Sequence, residues 1–205
     1  MKNDGGKLVG LGDRQFTFAV YIGNRPAMPE YQSLVQLLPM QENNIDLIGR
    51  VCGNGWRKVF NVYAKLLYEL NTAHFNFATM APTWQQYRDQ YLLQANSGTA
   101  LIFSPPHLPF TSTSLQAAFS ETYNKTDKNN NTHNKTIHII CGRTYAKKLI
   151  NDGLLNADLV WLDEEFAIDA QQAVIICPYF DYRQLSNQKI QRLSTMLSAV
   201  VNEDK

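Results

Sequence analysis

Four short runs constrain this chain more than any other feature: Phe16 to Ile22, Thr99 to Phe103, Ile137 to Cys141 and Ala173 to Cys177. Each is apolar, rich in β-branched or aromatic residues, and stops at or beside a Gly or Pro, which is how a buried strand reads. Apolarity that continues through a strand, without alternating, favours a parallel sheet covered on both faces.

Between the runs lie longer segments with helical spacing. In the clearest, Trp56, Val59, Phe60, Tyr63, Leu66, Leu67 and Leu70 recur at three- and four-residue steps and form one apolar stripe. Further helices are expected over roughly Glu30 to Leu38, Thr83 to Ala95, Ser114 to Glu121, Thr144 to Ile150 and Ser186 to Val200. Several open on a Ser or Thr able to cap a first turn. Strands alternating with helices predict an α/β fold, a three-layer α/β/α sandwich around a central, mainly parallel four-stranded sheet. At 205 residues, with 44% hydrophobic and 18% charged side chains, a single domain spanning residues 1–205 is the economical expectation.

Residues 1–12 read as a flexible tail, and their charges exclude the apolar core of a signal peptide. No run is long enough to span a bilayer, so a cytoplasmic protein with no membrane partner is expected. The segment 122–136 is dominated by Asn, Lys and Thr, with Tyr123 as its one apolar residue, and reads as a mobile surface loop. Its three Asn-x-Thr sequons would matter only in a secreted chain. The acidic residues Asp158, Asp163, Glu164, Glu165 and Asp169 read as a solvated face around Leu159 to Leu162, a further strand or hairpin arm. Cys52, Cys141 and Cys177 have no Cys-x-x-Cys spacing and no partnered histidines, so neither metal nor disulfide framework is expected, and no cofactor fingerprint is present.

Ligands in a parallel α/β sheet bind at the loops that follow the strands. Here those loops are Gly23-Asn24-Arg25-Pro26, Ser104-Pro105-Pro106-His107, Gly142-Arg143-Thr144-Tyr145 and Pro178-Tyr179-Phe180-Asp181-Tyr182-Arg183. The net charge of +1 argues against indiscriminate nucleic-acid binding, so any anion site is local. Arg50, Arg57, Lys58 and Lys65 have no acidic neighbour in their stretch, nor do Arg143, Lys147 and Lys148 before Asp152, nor Arg183, Lys189 and Arg192. An anion-binding edge explains these clusters, and so does an ordinary solvated helix face. Gly142 before a helix at Thr144 turns backbone N–H groups outward, a phosphate site or simply a tight turn. The aromatics Tyr179, Phe180 and Tyr182 beside Arg183 suit a stacked base with a phosphate, and Tyr179 and Phe180 equally suit core packing.

Taken in order, these elements resemble the uracil-DNA glycosylase superfamily, over most of the chain. The first-strand loop Tyr21-Ile22-Gly23-Asn24-Arg25-Pro26 is similar to the family's Gly-x-Asn-Pro or Gly-x-Asp-Pro loop, with Asn24 one place nearer the glycine. Cys52-Gly53-Asn54-Gly55-Trp56-Arg57 resembles its Gly-Asn-x-Phe-Trp lead into a helix, and Gly142-Arg143-Thr144-Tyr145-Ala146 its Gly-Lys-x-Ala turn. The last-strand loop stands where the family has a His-Pro-Ser-like segment, but holds no histidine. The resemblance implies DNA or a nucleotide as partner and excision or binding of a nucleobase, with Asn24 positioning water and Tyr179 acting as donor to the base. It places Asn54, Trp56 and Phe103 at the nucleobase, and Arg25, Arg57, Arg143, Thr144 and Arg183 at phosphate. Two alternatives stand beside it: a binding module on the same fold that has lost catalysis, and an unrelated hydrolase using Cys141 or Cys177 with His107 or His138.

Overall fold

The computed structural model describes residues 7–108 and 135–202. The four runs become β2 (Phe18–Ile22), β4 (Thr99–Ile102), β5 (Ile137–Cys141) and β8 (Val174–Cys177). They lie side by side in the order β4-β2-β5-β8, each parallel to its neighbours. The sheet itself is larger than the four-stranded one expected. Among the described residues it has eight strands of mixed orientation: with β1 at Gly10–Gly12, β3 at Leu37–Leu38, β6 at Val160–Trp161 and β7 at Ala167–Asp169, the order is β3-β1-β4-β2-β5-β8-β7-β6. Strand β1 pairs antiparallel with β4 and parallel with β3, while β6, β7 and β8 form an antiparallel meander. Strand β6 falls within Leu159 to Leu162, the segment expected to be a further strand or hairpin arm. Strands β1, β3 and β7 have two or three residues each, too few side chains to show a period, so the sequence pattern misses them.

Strand β1 also corrects the tail. Residues 1–6 lie outside the described residues, but Gly10–Gly12 is buried between β3 and β4. A Cβ on Gly10 would sit 2.3 Å from the Leu101 carbonyl oxygen, and one on Gly12 would sit 2.4 Å from that of Thr99. Glycine here permits close backbone approach rather than looseness.

Successive strand residues point to opposite faces. Val20, Ile22, Leu101, Ile139 and Ile175 face one side, where they meet helix α3 (Asn54–Glu69) and helix α6 (Asn187–Asn202). The predicted stripe of α3 is buried from Trp56 to Leu67, and the enclosed Tyr63 hydroxyl donates to the carbonyls of Phe18 and Ala100. Helix α1 (Pro29–Gln32), helix α2 (Asn44–Val51) and helix α4 (Trp84–Gln90) complete this layer around α3. Ala19, Tyr21, Ile102, Ile140 and Ile176 face the other side, covered in part by helix α5 (Arg143–Asn151) through Ala146 and Leu149.

The helix expected over Glu30 to Leu38 shortens to α1 because Arg25 Nη1 takes the carbonyls of Gln32 and Leu34 and the chain then extends into β3. That expected over Thr83 to Ala95 is capped by Thr83 Oγ1 on the Gln86 N–H but ends at Gln90, short of Leu93 with its positive φ of 62°. Helix α2 was not anticipated. The predicted helix Ser114 to Glu121, and the predicted loop but for its last two residues, lie outside the described residues.

The acidic segment is not merely a solvated face. Asp169 is buried and accepts the N–H groups of Asp158 and Gln172, which ties the turns around β7. Asp163 pairs with Arg192 and Glu165 with Lys189, so the β6–β7 hairpin is pinned to α6. The basic stretches that look unopposed in sequence are thus partly answered in space, Lys58 by Asp181 and Arg50 by Asp46 among them. Among the described residues no helix is long and apolar enough to cross a membrane.

Candidate functional site

Strand order fixes where a cleft can open. From β2 the chain runs to β4 on one side, then crosses to β5 on the other side of β2. The loop after β2 leads toward the α3 layer and the loop after β5 leads directly into α5 on the opposite face. Two adjacent parallel strands whose loops part in this way leave a crevice beyond their carboxyl ends.

A cleft of about 770 Å³ lies there. Gly23 and Asn24 line it from the β2 loop, Cys141 to Tyr145 from the β5 turn, and Pro178 and Tyr179 from the β8 loop. Tyr179 Oη donates to Asn24 Oδ1 at 3.2 Å across this space. Burial, then the neighbouring Cys141 thiol, holds the Tyr179 phenol above its ordinary range although the Asn24 contact works the other way. Tyr179 therefore keeps its proton at neutral pH and remains a donor.

Gly142 is the N-cap of α5, with φ of 101° and no side chain capping the turn. The conformation requires glycine, and a Cβ there would meet the Tyr179 ring at 3.4 Å. The uncapped N–H groups of the first turn, at Arg143 and Thr144, belong to residues that line the cleft, so its floor carries the positive end of the helix dipole. Gly23 is as tightly placed, since a Cβ there would lie 2.8 Å from the Tyr145 ring. Arg143 Nη1 donates to the Glu164 carbonyl, which draws the acidic hairpin to the cleft wall.

Of the residues read from the sequence as site candidates, Asn24, Tyr179, Arg143 and Thr144 come together in this cleft. Six others do not line it. Asn54 is exposed at the start of α3. Trp56 is buried edge-on against Phe103, with ring centroids 6.3 Å apart, and the Arg25 guanidinium covers the Phe103 ring at 5.8 Å. These three make a packing cluster at the end of β4. Arg57 lies with Asp46, Asn61 and Arg88 in a separate shallow hollow. Arg183 is exposed, near Tyr182, and its N–H binds Asp181 Oδ1. Burial opposes the charge on Asp181, but Lys58 and the Arg183 N–H outweigh it and hold that carboxyl below its usual range.

Tyr145, Lys148, Glu164, Glu165 and Gln184 also line the cleft, although the sequence reading gave none of them a site role of its own. Tyr145 follows the Gly142 turn and was within reach of a sequence argument. The two glutamates, expected on a solvated face beside a hairpin arm, are carried to the cleft by the antiparallel β6–β7 hairpin. The thiol hydrolase is not supported: burial pushes the Cys141 thiol up to about 12 and that of Cys177 well above its usual value. His138 faces the other side of the sheet, where Tyr21 Oη binds its Nδ1 at 2.9 Å. Among the described residues no group of three or more His, Cys, Asp or Glu side chains could hold a metal ion.

No curated protein and no solved structure matches the chain. A family model does match, over residues 9–198, from the strand β1 edge to the last turns of α6. The chain belongs to that family, described as a family of unknown function, DUF6942.

Proposed function

We propose that the cleft takes up a nucleobase from DNA and that the chain is a divergent, slow relative of the uracil-DNA glycosylases it resembles. The observation that carries this reading is the Tyr179–Asn24 hydrogen bond at a strand edge that also holds the uncapped Gly142-Arg143-Thr144 turn. The cleft volume falls within the range of small-ligand pockets. A base drawn out of the helix would sit against Tyr145 and Tyr179, with its phosphate at the first turn of α5.

In the hydrolysis, a water held by the Asn24 amide adds its hydroxyl to C1′ as the C1′–N bond breaks. The bond's electron pair leaves with the base, and the water's second proton neutralises the base. The protonated Tyr179 phenol supplies a hydrogen bond to the departing anion. No carboxylate follows β2 before Glu30, and no histidine lies in the β8 loop, so activation of water and of the leaving base is weak.

The test is strand scission by hot alkali after incubating the protein with oligonucleotides containing uracil, hypoxanthine or ethenocytosine. Slow excision of at least one base is expected, with a loss of about a hundredfold in Asn24→Ala, the scale seen when one positioned donor is removed. Intact oligonucleotides at high protein concentration would defeat the enzyme reading.

One observation favours a second reading, binding without cleavage: Tyr179 already occupies the Asn24 oxygen. That version expects DNA affinity that falls steeply with salt and weakens in Arg143→Ala. Absence of binding at low salt would remove it.

A further inference from the structure

Beyond Arg143 the cleft continues into a second hollow of about 700 Å³, with Arg143 and Glu164 as the shared wall. Helix α5 contributes Lys147 and Ile150, and the β6 hairpin contributes Trp161 and Asp163. Among the described residues, strand β6 ends the sheet and pairs only with β7. Together with Leu162 just past its end, the strand exposes three consecutive large apolar residues, Val160, Trp161 and Leu162, at 63%, 40% and 48%. Ile150 across the hollow is 40% exposed as well. An apolar edge of this kind is not needed for folding and invites association.

The charges beside it indicate what associates. Asp163 is answered by Arg192, and Lys147 makes no ion pair among the described residues. Of the three carboxylates that line the hollow and the adjoining cleft, Asp163 and Glu165 are answered from α6, which leaves Glu164 beside Arg143 and Lys147. An exposed indole next to two cations, continuous with a cleft whose floor is a helix N-terminus, matches a strand of bases joined by phosphates.

We infer that Trp161 is a stacking platform for the nucleotide beside the one in the cleft, with Lys147 and Arg143 on the connecting phosphates, and that the substrate class is single-stranded DNA. The inference rests on the nucleobase reading of the cleft. In a duplex both faces of the neighbouring base are already stacked, so only a single strand, or an opened end, offers a free face to Trp161.

Titrating the full chain with single-stranded oligodeoxyuridylate, the same strand annealed to oligodeoxyadenylate, and deoxyuridine monophosphate separates the two ideas. Trp161→Ala weakens the single strand by about fivefold or more, the scale of one lost base stack, and leaves the mononucleotide unchanged. Trp161→Phe retains most of the affinity, and Lys147→Ala lowers the salt dependence by about one phosphate contact. Wild-type affinity in Trp161→Ala, equal binding of duplex and single strand, or a doubling of mass through the β6 edge without DNA would overturn the platform. If the mononucleotide binds through Asn24 while Trp161→Ala is silent, only the platform falls. If strand binding needs Trp161 but not Asn24, the cleft reading falls and the platform stands. Absence of all binding ends both.

Discussion

Gly12→Ala lowers unfolding stability by about 3 kcal/mol or more, a large share of the roughly 5–15 kcal/mol available to a domain. Two effects combine at this position. The backbone φ of 126° disfavours any side chain, and the added Cβ would lie 2.4 Å from the Thr99 carbonyl oxygen and 2.7 Å from the Ala100 Cα. Both obstacles are backbone of β4, a strand fixed by β2 on its other edge, so neither can swing aside. Gly10→Ala meets the Leu101 carbonyl in the same way. Gly55→Ala is the control: it lies in the first turn of α3 with nothing within 4 Å of its would-be Cβ, and gains a few tenths of a kcal/mol. Denaturant unfolding of the three variants checks the contrast. Equal midpoints for Gly12→Ala and the unaltered chain would show that β1 is not bound to β4.

Acidification destabilises the protein through His138. Burial holds its imidazole down to about 4, against 6.5 in an exposed chain, and the neutral ring shares a hydrogen bond with Tyr21 Oη through Nδ1. The unfolded chain therefore binds a proton that the native state refuses. Stability from this group is complete above about pH 6.5, falls as pH drops from there to about 4, and is flat below. At about 1.4 kcal/mol per unit, the loss across that window is about 3 kcal/mol. His138→Gln removes it, so its stability changes less with pH over the same window. Asp163 and Asp181, whose carboxyls are held below their usual range, contribute an acid loss common to both proteins, and it cancels in the difference. Identical pH slopes would mean that His138 is hydrated in the native state.

The central sheet was legible because burial on both faces leaves a continuous apolar record, and four such runs gave the four parallel strands. The stripe of α3 was legible for the same reason at a different period. What was not legible came from tertiary approach: β1 exists because two glycines let its backbone meet β4, and Gly-Leu-Gly carries no period. The first-loop Asn24 and last-loop Tyr179 stood out as polar residues just past strand ends, and strand order places them together. Asn54, Trp56 and Arg57 share a suggestive motif but sit on the helix that covers one face, away from the crevice. Phe103 and Arg25 follow strand ends too, yet each satisfies the other, ring under guanidinium. Adjacency in sequence cannot tell a ligand contact from such internal pairing.

The proposed ligand site is the crevice between the ends of β2 and β5. Backbone amide shifts of the isotopically labelled chain, followed as a short uracil-containing single strand is added, test it most directly. Gly23, Asn24, Gly142, Arg143, Thr144 and Tyr179 are expected to move together while Asn54 and Arg57 stay still. Shifts confined to the surface around Arg57, or none at low salt, would contradict it.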